Sequence, residues 1–248
     1  MEESFYHEYA AAEDEHWWFE GRRAIIRETL SKWLPQGSRA HRKILDVGCG
    51  PGGMLDLLME FGQVHALDPS EDAINYCRER VGNKATLHLG GIPDGVPENL
   101  MFDVLTAFDV IEHLEDAVSG MRRLKSVLKK DGSFVVTVPA YNFLWSVHDD
   151  INHHFRRYTR RLLNDHLKDA GFTVRYISYF NSILFPPIAI ARLIGRLLPR
   201  NQNPKSDLSL PSSAINQILT SFFRSERYLM RMGSLPFGVS LIAVSTPR

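Results

Sequence analysis

A glycine-rich turn carries the most specific chemistry in the sequence. Gly48, Gly50 and Gly53 follow a short apolar run and precede a run with helical periodicity, and Asp68 ends the next apolar run. Glycines permit a tight turn and let a ligand approach the backbone, and a helix that begins there presents unpaired N–H groups. The spacing predicts a site for a nucleoside-bearing cofactor, and it also matches the fingerprint of nicotinamide dinucleotide sites.

The residues beside the turn favour an adenosyl amino acid over a dinucleotide. Asp46 lies two residues before the first glycine, where its carboxylate would repel a pyrophosphate and attract the ammonium group of an amino acid. Asp68 can accept hydrogen bonds from both ribose hydroxyls of either cofactor. In the loop at residues 90–94, Ile92 offers an apolar wall for an adenine. An NAD-dependent dehydrogenase remains the alternative.

These motifs lie on alternating strand-like and helix-like segments. Apolar runs predict strands at residues 43–47, 64–67, 85–89, 102–108, 133–138, 172–179 and 239–244. Periodicity and stop signals predict helices at residues 15–34, 54–61, 70–80, 116–129 and 159–170, and a mostly helical insertion at 182–231. The alternation implies a mostly parallel sheet with helices on both faces.

Four stretches, in order, resemble the motifs of class I S-adenosylmethionine (SAM)-dependent methyltransferases. They are residues 44–52 (ILDVGCGPG), 65–70 (HALDPS), 102–114 (FDVLTAFDVIEHL) and 130–134 (KDGSF). The resemblance covers roughly residues 40–140. Around Glu112 and His113 it is closest to the ubiquinone-pathway O-methyltransferases of the small-molecule branch. It implies an α/β fold, a Rossmann-like three-layer sandwich with a seven-stranded, mostly parallel sheet whose last strand is antiparallel.

On that fold the chain divides into four segments. They are an N-terminal helical cap at residues 1–38, a SAM-binding Rossmann-like domain at 39–180, a helical insertion or lid at 181–235 and a returning last strand at 236–248. The apolar stretch 183–198 is too short, and too interrupted by proline and arginine, to span a bilayer. We expect it to cover the substrate or pack on the sheet, with a peripheral membrane contact as the alternative.

The resemblance also implies SAM as the cofactor and a set of residues that bind it. The backbone of the first motif would contact the methionine part, Asp68 the ribose, and an N-terminal arginine, Arg22 or Arg23, the SAM carboxylate. The aromatic residues 17–19 are a candidate lid over the cofactor, and the alternative is that they only staple a helix to the core. The implied binding set is Arg22, Asp46, Gly48, Cys49, Gly50, Asp68, Pro69, Gly91, Ile92, Phe108 and Asp109.

Asp109, Glu112 and His113 resemble a metal-binding constellation of some ubiquinone-pathway relatives. Two carboxylates and an imidazole can hold a divalent ion. Asp109 is also needed near SAM, however, and His113 can cap the turn. We therefore assign no metal ligands.

Histidines, carboxylates and arginines follow the fifth predicted strand, between residues 146 and 158. Methyl transfer requires that two reactants are held in contact, and a hydroxyl acceptor usually also needs a base. We hypothesise that His154 or His148 is the base, oriented by a neighbouring carboxylate. Arg157 or Arg156 would grip an anionic group of the substrate. The alternative is a structural loop whose charges pair with one another.

The composition limits the remaining function classes. Lysine plus arginine number 29, as do aspartate plus glutamate, and zero net charge disfavours a protein that coats nucleic acid. Cys49 and Cys77 lie in predicted core elements, which disfavours a disulfide framework, and no signal peptide is visible.

We therefore expect a cytoplasmic SAM-dependent methyltransferase that acts on a small-molecule acceptor, lipid-like or anionic, with oxygen as the first choice of acceptor atom. The alternatives are an NAD-dependent oxidoreductase and a non-catalytic binding protein with the same fold.

Overall fold

The fold is built on strands that alternate with helices along most of the chain. The structure, a computed structural model, describes residues 12–34, 39–197 and 210–248. Its strands are β1 (Lys43–Val47), β2 (Gln63–Asp68), β3 (Thr86–Leu89), β4 (Phe102–Phe108), β5 (Leu128–Pro139), β6 (Phe172–Phe180) and β7 (Ser240–Pro247). Its helices are α1 (Trp17–Trp33), α2 (Leu55–Met59), α3 (Glu71–Val81), α4 (Ala117–Lys125), α5 (Val147–Ile151), α6 (Arg160–Asp169), α7 (Phe185–Leu197) and α8 (Ser213–Met232).

The strands form one sheet in the order β3-β2-β1-β4-β5-β7-β6. Strand β1 pairs in parallel with both β2 and β4, whereas β7 runs antiparallel to β5 and β6. The predicted seven-stranded sheet with an antiparallel last strand is therefore confirmed. The chain order reverses between β1 and β4, and the carboxyl ends of such strands open a crevice where ligands bind in α/β sheets.

The predicted helix at residues 116–129 is shorter than expected. Asp116 caps its N-terminus by accepting a hydrogen bond from the Ser119 amide, and α4 ends at Lys125. Strand β5 already begins at Leu128, which pairs with Phe102. Gly132, expected to stop the helix, lies inside this strand, so strand pairing overrides the helix-stop signal at residues 130–132.

Two hydrophobic clusters cover the two faces of the sheet. Ile44 belongs to one cluster and Leu45, its neighbour in β1, to the other. Successive side chains of a strand point to opposite faces, so a strand buried on both faces reads as a continuous apolar run. This explains why continuous apolar runs in the sequence are sufficient to predict the short central strands.

The N-terminal helix and the insertion pack against each other on one face of the sheet. Phe223 of α8 lies against Gly21 of α1 so closely that a Cβ on Gly21 would overlap its ring. Phe223 also stacks on Phe180 at the end of β6, with ring centroids 6.1 Å apart. Residues 1–11 of the predicted cap and 198–209 of the predicted insertion lie outside the described residues. Within the described ranges no helix has the length and apolar character that a bilayer span requires.

Candidate active site

The turn after β1 has backbone conformations that favour glycine. Gly48 and Gly50 have φ angles of 67° and 54°, a region that residues with a Cβ rarely adopt. The N–H groups of Gly48 and Cys49 donate to the carbonyl of Leu67 near the end of β2. A Cβ on Gly50 would meet no atom within 4 Å, so this face of the turn is open to a ligand.

Asp68, at the end of β2, fastens the glycine turn. One carboxylate oxygen accepts a hydrogen bond from the Gly50 amide and the other from the Ser70 amide, both at 2.9 Å. The side chain is buried, and burial raises the pKa of Asp68 although the two hydrogen bonds act to lower it. Each oxygen keeps a further lone pair, so the carboxylate can still accept from ligand hydroxyls.

Arg22 reaches from α1 to the end of β4. Its guanidinium lies 2.6 Å from the Asp109 carboxylate, donates to the Thr137 hydroxyl at 3.2 Å and stacks on Trp18, 4.8 Å from the ring centroid. Its Nε has no hydrogen-bond partner although it is buried. Arg23 instead donates to the backbone carbonyl of Glu13, so of the two candidate arginines Arg22 is the one directed to the strand ends.

Asp46 and Cys49 lie behind the turn. Asp46 is buried and accepts a hydrogen bond from the Thr106 hydroxyl at 2.6 Å. Burial raises the pKa of Asp46 to about 7, although the hydrogen bond from Thr106 acts to lower it. Cys49 and Cys77 are free thiols with their sulfurs 3.7 Å apart.

A cavity of about 700 Å³ extends along the carboxyl ends of the strands. Three of the predicted cofactor-binding residues, Arg22, Asp46 and Cys49, are not among the residues that line it. The aromatic residues 17–19 do line it, so they border the ligand space as well as packing on the core. The predicted residues on its wall are Gly48, Gly50, Asp68, Pro69, Gly91, Ile92, Phe108, Asp109, His148, His154 and Arg157.

His154, Asp149 and Arg157 form a hydrogen-bonded network at the other end of the cavity. The Asp149 carboxylate is fully buried and lies 2.9 Å from Nδ1 of His154. Arg157 donates to both oxygens of Asp149, through Nε at 2.7 Å and Nη2 at 2.9 Å, and through Nη1 to the Ala140 carbonyl. Burial alone would raise the pKa of Asp149, but the hydrogen bonds from His154 and Arg157 hold it well below its usual range.

This network bears on the role expected for the arginines. The guanidinium of Arg157 donates to Asp149 and Ala140, and Arg157 also borders the cavity, so its contact with an anionic substrate stays a prediction. Arg156 donates to the Glu115 backbone carbonyl. His148 lies with its ring centroid 6.2 Å from that of His154, and its ring nitrogen is 3.3 Å from the Asn152 amide nitrogen.

The comparison with protein families decides between the two cofactor classes. A family model described as a methyltransferase domain matches residues 18–177. The chain belongs to this SAM-dependent methyltransferase family. Its match includes the glycine turn, Asp68 and the network around Asp149. The family predicted from the sequence motifs is confirmed, and SAM is the cofactor that its members use.

Individual relatives agree with this assignment. The methyltransferase chain is 32% identical to a ubiquinone biosynthesis O-methyltransferase of Vibrio vulnificus over 96 residues, 37% of the chain and 41% of the relative. It is 26% identical to an enzyme of the same name from Marinobacter nauticus, over 64% of the chain and 74% of the relative. Several curated relatives are matched over only 41 to 61% of their own length.

A solved structure agrees with the fold of the methyltransferase. Phosphoethanolamine N-methyltransferase 2 of Haemonchus contortus, in complex with SAM, superposes with a TM-score of 0.57 at 18% identity. The alignment covers 90% of this chain and 52% of that one.

The residues of the methyltransferase fit SAM by their own chemistry. The open face of Gly50 leaves room for a ligand against the backbone. The lone pairs left on the Asp68 carboxylate suit ribose hydroxyls. The Nε of Arg22 is buried and unpartnered, but Arg22 does not line the cavity, so its contact with the SAM carboxylate stays a prediction. The open turn and the acceptor capacity of Asp68 match the nucleoside part of the cofactor.

A possible metal-binding cluster differs from the one that the sequence suggested. Glu112, His113 and His154 offer ligand atoms within 4.8 Å of one another, and Asp109 is not part of this set. Burial, and then the charge of Asp109, raise the pKa of Glu112 well above its usual range. Burial, and then His154, lower the pKa of His113 to about 4. One carboxylate and two imidazoles form a donor set that borderline divalent ions accept.

Among the cavity residues, Asn181 and Ser240 at the ends of β6 and β7 were not identified from the sequence. Ile188 and Arg192 come from α7, inside the stretch 183–198 that was expected to cover the substrate. Asn181 directly follows a strand that runs parallel to β1, so its place at the carboxyl edge of the sheet was an available signal. The positions of the other residues depend on how the insertion packs, which the sequence pattern does not define.

Proposed function

We propose that this chain transfers the methyl group of SAM to a hydroxyl oxygen of a small molecule bound in the 700 Å³ cavity. The proposal is supported by the fact that a single cavity connects the cofactor residues and the candidate base. One cavity joins the glycine turn and Asp68 at one end to His154 and its network at the other. A methyltransferase needs both reactants in direct contact, and a single continuous cavity supplies that arrangement.

The residues at the cofactor end of the cavity would position SAM and would not take part in the bond changes. SAM supplies an activated methyl group on a sulfonium centre. The backbone of Gly48 and Gly50 would line the amino-acid part, and Asp68 would accept from the ribose hydroxyls. Trp18 and Phe19 at the cavity wall would exclude water from the cofactor.

We assign the role of general base to His154. Nδ1 is bonded to Asp149, whose ionised carboxylate can only accept, so Nδ1 carries the proton and Nε2 of the neutral ring is the acceptor nitrogen. Nε2 would take the proton of the acceptor hydroxyl as the oxygen attacks the methyl carbon. Arg157 is then a positioning residue, because it fixes both oxygens of Asp149 and through them the orientation of His154.

We also propose that the acceptor is lipid-like and that the described part of the stretch 183–198 contacts a membrane surface. Ile188 and Arg192 of α7 border the cavity, whereas Ile190, Leu193 and Ile194 of the same helix are exposed. An apolar surface of this kind can lie at the edge of a bilayer. Flotation with vesicles containing anionic lipid tests this point, and failure of the protein to co-migrate would reject it.

Calorimetry distinguishes the proposed function from its alternatives. We expect SAM and its demethylated product, S-adenosylhomocysteine, to bind the purified chain and NAD⁺ not to bind. Preferential binding of NAD⁺ would instead support a dehydrogenase. Binding of SAM without any methyl transfer would support a non-catalytic protein.

A labelling experiment tests the catalytic step. The chain is incubated with trideuteromethyl SAM and a desalted metabolite extract, and mass spectrometry follows labelled products and S-adenosylhomocysteine. We expect His154→Gln to reduce turnover at least about a hundredfold. The matched control is His153→Asn, because His153 is exposed and has a φ of 54° that asparagine tolerates. Full turnover in His154→Gln would remove the base from the mechanism.

A further inference from the structure

Asn181 is a buried amide with no hydrogen-bond partner. It directly follows β6, its exposed fraction is 0%, and neither its Oδ1 nor its Nδ2 is bonded within the protein. It is also one of the residues that border the cavity. Buried polar groups are nearly always paired in folded proteins, and an unpaired one requires an explanation. A ligand group that completes its hydrogen bonds is such an explanation.

The backbone of Asn181 is held in place independently of its side chain. Its φ of 56° is in the left-handed region, which asparagine tolerates better than most residues. The fully buried Glu226 of α8 accepts hydrogen bonds from the amides of Asn181 and Ile183. The Asn181 carbonyl accepts a hydrogen bond from the Val239 amide at 3.3 Å. Backbone conformations that are rarely populated, and that are held by the surrounding structure, are common at ligand sites.

The sheet order places Asn181 far from the cofactor end. Strand β6 is three positions from β4 in the sheet. Neighbouring strands are about 4.8 Å apart, so Asn181 lies about 14 Å across the sheet from the end of β4. Val239 and Ser240, which also border the cavity, lie in between. An acceptor whose reacting atom is near Phe108 would therefore reach Asn181 with its opposite end.

We propose that Asn181 binds an uncharged amide-like group at the end of the acceptor remote from the methylated atom. This inference rests on the proposed function and adds a substrate class to it. A carboxamide offers both a donor and an acceptor, and it can therefore satisfy both Nδ2 and Oδ1 of Asn181. A carboxylate would satisfy only the Nδ2 donors and would leave Oδ1 without a donor. Arg192 on the cavity wall is the group that would instead attract an anion.

Benzamide and benzoate are matched probes for this site, since they share shape and differ in charge and donor capacity. Their affinities are measured by ligand-observed NMR on protein saturated with S-adenosylhomocysteine. We expect benzamide to bind more tightly than benzoate to the wild-type chain. Asn181→Gly, which suits the backbone conformation, should weaken benzamide binding about tenfold and leave the affinity for S-adenosylhomocysteine unchanged.

Two further variants complete the test. Asn181→Asp keeps the shape of the side chain and tolerates the same φ, so it replaces Asn181→Gly in the test if the glycine variant fails to fold. It should also lose the preference for benzamide over benzoate. Asn152→Ala is the control, because the Asn152 amide borders the same cavity but is already bonded to the His148 carbonyl. It should bind benzamide as the wild type does.

The outcomes separate this inference from the proposed function. Failure of S-adenosylhomocysteine to bind would remove the proposed function. If S-adenosylhomocysteine binds normally, three results would overturn the role of Asn181 alone. They are tighter binding of benzoate than of benzamide, no binding of benzamide, and equal benzamide affinity in the wild type and Asn181→Gly.

Discussion

Asp46→Asn tests how a buried carboxylate behind the glycine turn sets the stability of the chain. Asparagine keeps the shape of the side chain and an acceptor for the Thr106 hydroxyl, and it removes the ionisable group. Burial raises the pKa of Asp46 from its ordinary 3.8 to about 7. The folded chain therefore holds a proton on Asp46 at pH values where the unfolded chain has released it.

The size and sign of the effect follow from proton linkage. A pKa raised from 3.8 to about 7 corresponds to about 4 kcal/mol in total. The folded state binds more protons in this range, so Asp46 makes the wild type less stable as the pH rises from 4 to 7. Between pH 5 and pH 8 the free energy of unfolding of the wild type should fall by about 2–3 kcal/mol relative to Asp46→Asn.

Urea unfolding of both proteins at pH 5, 6, 7 and 8 measures this difference. Glu13, whose pKa is also raised to about 7 by burial, is present in both proteins and cancels in the comparison. Asp103→Asn is a control without pH dependence in this range. Hydrogen bonds from Lys129 and from the Lys43 amide outweigh burial and lower the pKa of Asp103 below its usual 3.8, so this variant should lose stability by an amount that is the same at pH 5 and at pH 8. A difference between wild type and Asp46→Asn that does not change with pH would refute the reasoning.

Three further substitutions probe the elements around the cavity. Asp149→Asn should lower the free energy of unfolding by about 3–5 kcal/mol at pH 7, because it weakens the only carboxylate partner recorded for the buried Arg157 in the described part of the chain. Gly21→Ala should cost about 1–3 kcal/mol in the same urea assay through overpacking between α1 and α8, whereas Gly233→Ala, with no atom near the added Cβ, should be neutral. Asp68→Asn should weaken SAM binding in calorimetry at least about tenfold, because its NH₂ group would face a backbone donor.

Each of these expectations has a contrary result. A loss below about 1 kcal/mol in Asp149→Asn would mean that water or another group neutralises the arginine. Equal stability of the two glycine variants would show that the contact between α1 and α8 yields easily. Unchanged SAM affinity in Asp68→Asn would move the ribose contact to another residue.

The sequence pattern predicts the cofactor half of this site better than the acceptor half. Gly48, Gly50 and Asp68 are local signals, because each follows a strand whose buried apolar run is visible in composition. Their side of the site depends on the conformation of one turn and on the pairing of adjacent strands. The seven strands and the antiparallel last strand were likewise predictable, since the resemblance to the methyltransferase family implies them.

The acceptor half depends on contacts between distant segments. The pairing of Arg157 with Asp149 inside a buried network is not visible from their spacing, and it adds a positioning role to the substrate contact expected for Arg157. The backbone of Asn181 is held by Glu226 of α8, a residue distant in the chain. At residues 128–132 a polar, glycine-containing stretch suggested the end of a helix, and pairing with β4 makes it a strand instead.

The contact between Gly21 and Phe223 has a mechanical consequence. Helix α1 carries Trp18 at the cofactor end of the cavity, and α8 holds the loop that presents Asn181 at the far end. Because the two helices are in direct contact, a displacement of one would be transmitted to the other and so to both ends of the cavity. Departure of the demethylated cofactor and exchange of the acceptor would then be coupled.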